Sequence, residues 1–271
     1  MTHTRTTISA LLEEHGLAPS RALGQNFVVD PNTVRRVARL AEVGPGDRVL
    51  EIGAGLGSLT LALVETGATV SAMEIDRHLL APLRAVVEPH QVPVHHANAL
   101  EADYEALLGG ETAIVVANLP YNIATPLVLH LLETVPLITR MLVMVQLEVG
   151  ERLSAHAGDK AYGAASLRVQ YFADARVVGK VPPSVFLPKP KVDSALVSIV
   201  RRPNVAIDPD DVGEREIFEV VRMAFSQRRK MLRRSLGAWA TSETFERAEI
   251  DATRRPEELT LAEFARLAAA R

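Results

Sequence analysis

The stretch RVLEIGAGLGSLT, residues Arg48 to Thr60, constrains the fold more than any other part of this sequence. An apolar run holding Glu51 leads into Gly53, Gly55 and Gly57, and an apolar helical pattern begins directly behind them. Glycines at that spacing let a backbone turn tightly and approach a ligand closely, so the stretch predicts a strand, a binding loop and a helix. Further apolar runs follow at 68–76, 92–98, 113–119 and 137–146, with helical segments that stop at Gly67 and at Gly109-Gly110 between them. Helices near 147–154 and 163–171 and strands near 175–180 and 192–201 complete the series. Such alternation predicts an α/β fold, a mostly parallel sheet covered on both faces, which binds ligands at the carboxyl ends of its strands.

The strand signal ends at RRPNVAIDPDD. A linker near 204–212 therefore separates a large domain, 1–205, from a small helical one, 206–271, with helices expected at 214–226, 228–238, 243–250 and 257–269. The chain length of 271 residues suits one substantial core plus a small appendage. Before residue 30 only a short helix at 8–15 is expected, followed by sequence too polar and broken for core. With no Cys, disulfides and thiolate chemistry are excluded, and a reducing, cytoplasmic setting is expected. No apolar run is long enough to span a bilayer. His95 and His96 adjoin on a strand and face opposite ways, which makes a shared metal unexpected.

A glycine loop alone also occurs in dinucleotide folds, or as plain structural turns. Glu74, ending the next strand, strengthens the ligand reading, because a carboxylate there accepts from ribose hydroxyls. Glu51 separates the possibilities further: an acid beside the loop repels a pyrophosphate but favours a cation, and so points to the sulfonium cofactor S-adenosylmethionine. Asn98, ending the third strand, is either a strand-end cap or a partner for the adenine edge.

The fourth strand ends in VVANLPYNIATPLVL, beside the same crevice. The exocyclic amine of adenine is a poor nucleophile, because its lone pair is delocalised into the ring. Acceptors on Asn118 and on the Leu119 carbonyl would favour pyramidal nitrogen, Pro120 would fix the turn, and Tyr121 would stack on an extruded base. Phe186, set among prolines in VPPSVFLPKPKVDSALV, is expected to cover the other face of that base or to be a core ring, with Lys189 and Lys191 near phosphates. The net charge of −3 does not mark a nucleic-acid binder, yet RMAFSQRRKMLRR carries Arg222, Arg228, Arg229, Lys230, Arg233 and Arg234 without an acid. That run is either a phosphate-binding stripe or a solvated helix face.

Taken together, these motifs resemble the KsgA/RsmA family of small-subunit ribosomal RNA adenine dimethyltransferases, and less closely the Erm-type large-subunit enzymes. The resemblance spans nearly the whole chain and adds LGQNFVVD, whose Asn26 and Val28 backbone it places on the cofactor. It implies a Rossmann-like S-adenosylmethionine-dependent methyltransferase domain followed by a helical domain contacting RNA. The cofactor set expected is Gln25, Asn26, Val28, Glu51, Gly53, Gly55, Gly57, Glu74, Ile75, Asn98, Ala99 and Asn118, with no metal. The catalytic set is Asn118 to Tyr121 with Phe186. The implied substrate is two adjacent adenosines in the last hairpin of 16S rRNA, both dimethylated during late 30S assembly by a monomer acting on neither DNA nor membranes. Asn98 departs from the family's usual Asp, Leu147 from a common Lys, and Arg234 from a common Asn. Rival readings are Erm-type dimethylation of one large-subunit adenosine, a mainly non-catalytic assembly factor, and a nicotinamide-dependent oxidoreductase, which Glu51 disfavours.

Overall fold

A computed structural model describes residues 2–20 and 22–271. Its strands are β1 (Phe27–Val28), β2 (Arg48–Ile52), β3 (Thr69–Glu74), β4 (Val94–His96), β5 (Ala113–Asn118), β6 (Ile138–Gln146), β7 (Ala173–Val181), β8 (Phe186–Leu187) and β9 (Ser194–Arg201). Among the described residues, seven strands form one sheet in the order β4-β3-β2-β5-β6-β9-β7, while β1 and β8 pair antiparallel on their own. From β4 to β6 all neighbours run parallel; β9 runs antiparallel to β6. This is the mostly parallel sheet that the alternating sequence predicts, in the Rossmann-like fold that the family resemblance implies. Central β5, with the sequence AIVVAN, is buried from Ala113 to Ala117, as expected of a strand covered on both faces.

Two compact units divide the chain. The first comprises Met1–Gly150 and Arg176–Arg201, the second Glu151–Ala175 and Arg202–Arg271. The first holds α1 (Arg5–Glu14), α2 (Pro31–Leu40), α3 (Ser58–Val64), α4 (Leu80–Val87), α5 (Tyr104–Leu108) and α6 (Ala124–Thr134), with α7 (Leu147–Leu153) running across the division. Helix α2 shows why these residues form these elements. Asp30 caps it by accepting from Thr33 N–H, Pro31 occupies a first-turn position, and Val34, Val37 and Ala38 are buried. At the other end of the sheet unit, the Arg201 guanidinium donates to the carbonyls of Leu131, Leu132, Val135 and Ile138, closing the end of α6 and the start of β6. Burial holds that guanidinium below its ordinary pKa.

The stretch after α1, expected to be too polar and broken for core, contributes Phe27, Val28 and Val29 to it. Phe27 and Val29 pack with Ile8 and Leu12 of α1, Leu56 and Leu79 in a second apolar cluster. Three apolar residues behind a polar run give little local signal, and their burial follows from pairing with β8, far downstream.

The second unit holds α8 (Ala164–Phe172), α9 (Glu214–Ser226), α10 (Leu232–Ser235), α11 (Ser242–Arg247) and α12 (Leu261–Ala269). The division therefore interleaves rather than falling as one cut at 205. Aromatic packing explains it. Tyr171 of α8 meets Phe218 of α9 edge-on at 5.5 Å, and Tyr162 meets Phe225 at 6.2 Å and donates its hydroxyl to Leu259 O. The residues preceding β7 thus find their apolar partners far downstream in the sequence. Helix 214–226 falls where the sequence predicts it, but 228–238 is no continuous helix: a turn spans 227–230, Met231 is extended, and α10 has four residues.

Candidate functional site

A crevice opens where β2, β3, β4 and β5 end, and the segment 23–28 and the turn 118–121 line it as well. It gathers Gln25, Asn26 and Val28, then Glu51, Gly53 and Gly55, then Glu74, Ile75, Asn98 and Ala99, and finally Asn118, Leu119, Pro120 and Tyr121. Among the described residues no group of three or more His, Asp or Glu is placed to hold a metal ion. His96 instead bonds the Ile75 carbonyl at 3.1 Å.

Glu74 is 5 % exposed and fixes the loops around it. Its Oε2 accepts from Gly55 N–H at 2.8 Å, and its Oε1 from the N–H groups of Ile75 and Asp76 at 2.9 and 2.8 Å. Burial raises its pKa, against the pull of these three donors. With Oε1 doubly engaged, the remaining acceptor capacity lies on Oε2. Ile75 beside it leaves an apolar side chain 46 % exposed.

Glu51 is 2 % exposed and accepts from the Thr60 hydroxyl. Burial, with a smaller push from Glu74, raises its pKa to about 8, although the Thr60 bond opposes this. The sequence alone suggests a standing negative charge at Glu51; a pKa raised to about 8 favours the protonated acid at pH 7, and a neighbouring cation would favour the carboxylate.

The glycine loop turns its own amides inward. The N–H groups of Gly53 and Ala54 donate to Met73 O, that of Gly55 to Glu74, and that of Gly57 to Ala54 O. Those amides leave no anion cradle, so the loop does not suit a pyrophosphate. Gly55, at φ +60°, sits under the Phe27 ring, where a Cβ would approach ring carbons to 3.1 Å. Gly57 does not line the crevice, which corrects its assignment: a Cβ there would lie 2.9 Å from Val87, so its smallness serves the packing of α3 on α4.

Asn98 lines the crevice, and its Oδ1 accepts from Leu100 N–H at 3.1 Å, a turn cap that leaves its amide nitrogen as a donor. Asn118 is oriented the other way. Its Nδ2 donates to Asn26 O at 2.9 Å, which leaves Oδ1 as an acceptor. Asn26 Nδ2 donates to Gly24 O, and Gln25 Nε2 to Asp76 Oδ2 at 2.7 Å, so the 24–26 segment braces both walls. Leu119 N–H donates to Met144 O, and Tyr121 is half-buried with its hydroxyl 3.0 Å from Ser194 Oγ. These groups fit S-adenosylmethionine: a carboxylate at a strand end, an exposed aliphatic flank, an amide donor and a buried acid able to meet a cation.

Phe186 is not in the crevice. It is 0 % exposed, paired with Val28 across the β1·β8 ladder and packed with Val34, Leu142 and Leu196 in the main core. That corrects its assignment as the second stacking ring: pairing of segments some 160 residues apart turns it inward. Lys189 and Lys191 are exposed on the loop that follows. In the second unit, Arg222, Arg229, Lys230, Arg233 and Arg234 are exposed. Arg228 differs, since its Nε pairs with Glu257 at 2.6 Å and its Nη2 donates to Lys160 O, so it is tied into its own unit.

Sequence reading missed Ser58. The residue lines the crevice, and its buried hydroxyl has no hydrogen-bond partner among the described residues. The only signal was a Ser directly behind the third glycine.

Residues 19–270 match the family model described as ribosomal RNA adenine dimethylase. The chain is 44 % identical to the ribosomal RNA small subunit methyltransferase A of Thermobifida fusca, covering 98 % of this chain and 94 % of that one. Its counterpart of the same name in Mycobacterium tuberculosis is 46 % identical, with 97 % and 86 % covered. Among solved structures, the 23S rRNA methyltransferase ErmE superposes with TM-score 0.72 at 26 % identity over 90 % of this chain and 98 % of that one. A dimethyladenosine transferase from Plasmodium falciparum shares the fold at TM-score 0.74 and 23 % identity, with 88 % and 94 % covered. The chain therefore belongs to the ribosomal RNA adenine dimethylase family, whose members are S-adenosylmethionine-dependent methyltransferases.

Proposed function

We propose that this chain methylates N6 of two adjacent adenosines in the 3'-terminal hairpin of 16S rRNA, dimethylating both late in assembly of the small subunit in the cytoplasm. The observation that carries the reading is the orientation of Asn118: its amide nitrogen is held by Asn26 O, so the side chain presents an acceptor at the crevice mouth. An acceptor there takes a proton of the exocyclic amine in a hydrogen bond and favours pyramidal nitrogen. The Leu119 carbonyl is the second acceptor, and Tyr121 offers a ring face to the extruded base.

S-adenosylmethionine, when bound, supplies an electrophilic methyl group on a sulfonium. Glu74 Oε2 would accept from its ribose, Ile75 would flank the adenine, Asn98 Nδ2 would donate to the adenine edge, and Glu51, its proton passed to water, would compensate the cation. No strong base is needed, because the amine proton can leave after transfer. Arg222, Arg229, Lys230, Arg233 and Arg234, together with Lys189 and Lys191, meet RNA phosphates. The choice of small-subunit RNA is supported by the names of relatives at 44–46 % identity, against 26 % for the large-subunit enzyme.

The test supplies labelled S-adenosylmethionine with unmethylated small or large subunits and maps the modified nucleotides. Label on two neighbouring small-subunit adenosines is expected. Label on one large-subunit adenosine would transfer the chain to the Erm-type reading, and none on either would end the proposal.

A further inference from the structure

Tyr121 sits in the loop between β5 and α6, and its hydroxyl crosses the line of β6 to reach Ser194, the first residue of β9. The two hydroxyls lie 3.0 Å apart, and among the described residues neither has another hydrogen-bond partner. They differ in surroundings. Ser194 is wholly buried and anchored in the sheet: it stands opposite Gln146 in the β6·β9 ladder, and the preceding Asp193 carbonyl accepts from Leu147 N–H at 2.9 Å. Tyr121 is half-buried and belongs to a loop.

A ring attached only at its Cα end swings about two torsions. A ring attached also at its hydroxyl keeps one tilt, and a platform for a reacting base must hold its angle to within roughly 10–20°. We propose that Ser194 is a positioning residue for the target base: its hydroxyl pins the far end of the Tyr121 ring, so that the ring face meets a flipped adenine at a fixed tilt. This rests on the adenine-methylating reading above. It gives the loop of residues 182–193 a role other than the one its Phe suggests. The loop delivers the anchor at its end, while Phe186 stays in the core.

The two partners are not equivalent when removed. In Ser194→Ala the half-buried phenol still reaches water, so stability changes little. In Tyr121→Phe the buried Ser194 hydroxyl loses its partner, so the melting temperature falls more. A merely structural bond predicts only that asymmetry, whereas a positioning bond also predicts a loss of rate at saturating RNA.

The experiment measures single-turnover methyl transfer to unmethylated small subunits, with cofactor affinity and melting temperature, for Ser194→Ala, Tyr121→Phe, the double variant and Tyr121→Ala. Each single variant is expected to lose about tenfold in rate at saturating RNA, since small misplacements of reacting groups cost large factors. Cofactor affinity should be unchanged, and the double variant should be no slower than either single one. Wild-type rates in both Ser194→Ala and Tyr121→Phe, or losses that multiply in the double variant, would overturn the tether. If those two variants are normal while Tyr121→Ala is inactive, only the tether fails. If Tyr121→Ala also transfers normally, the base-stacking reading itself fails.

Discussion

At the strand ends, Glu51 and Glu74 are 2 % and 5 % exposed and are held by a hydroxyl and by backbone N–H groups, whereas Arg229, Lys230, Arg233 and Arg234 stand in solvent with no salt bridge among the described residues. Burying a carboxyl costs free energy unless partners surround it, so the crevice commits its groups to one geometry before any ligand arrives. Exposed cations commit to none and act by number, under the screening of salt. Under the proposed function, the first region would recognise by shape and the second by charge. Substitutions in the two should therefore fail in different measurements.

The largest expected effect concerns a residue of neither region. Phe186→Ala should cost about 3–5 kcal/mol of stability, read by denaturant unfolding, because it empties a fully buried ring site. Turnover per folded molecule should stay near normal. A normal melting curve with abolished turnover would instead return Phe186 to the crevice. Next, Asn118→Ala should slow methyl transfer by about a hundredfold or more, comparable to the loss of one preorganised transition-state partner, with cofactor affinity retained in calorimetry. Equal losses in both measurements would make Asn118 a cofactor ligand only.

Glu51 gives a pH test whose sign follows from its pKa of about 8 in the folded protein against an ordinary 4.5. Between those values the folded state holds the extra proton. Its contribution is therefore full below pH 4.5 and is lost as pH rises through 8, with a slope of at most about 1.4 kcal/mol per pH unit. Wild type should lose stability from about pH 5 to 8 more steeply than Glu51→Gln. Parallel curves would mean that the acid is ionised throughout. The smallest effect is expected in the second region. Replacing Arg229, Lys230, Arg233 and Arg234 with Gln should weaken particle binding about tenfold and flatten its salt dependence, by roughly 0.7–0.9 in log-log slope for each phosphate left without its cation. Arg228→Gln should lower the melting temperature and leave that slope alone.

How much of this was legible in the sequence also divides the two regions. The strands from Arg48 to Gln146 and the crevice groups Gly53, Glu74 and Asn118 could be read directly, because apolar runs end in glycine, acid or amide and strand ends share one edge of a parallel sheet. Phe186 could not, since its burial depends on pairing with Val28. Nor could Arg228, whose partner Glu257 lies in another element. The basic run looked helical by composition, but Met231 is extended and breaks it. Residues 151–175 fall between strands of the sheet in sequence, yet their aromatics pack against helices that come later. Ser58 apart, what was missed depends on an interaction between distant segments, which no local pattern records.

Arg201 has a consequence for the order in which the molecule is completed. The carbonyls it binds lie 63 to 70 residues earlier, on α6 and at the start of β6. At a synthesis rate of about 5–20 residues per second, that end of α6 waits roughly 3–14 seconds for the guanidinium, held meanwhile by its own backbone bonds, Val135 N–H to Leu131 O and Ile138 N–H to Val135 O, and by water. The opposite end of the same helix follows the turn that carries Asn118 and Tyr121. A nascent chain can thus form the glycine loop and the parallel strands early, but the turn gains its final support only when the antiparallel strand β9 is inserted. Maturation of the crevice mouth is timed by the last strand of the sheet to be made.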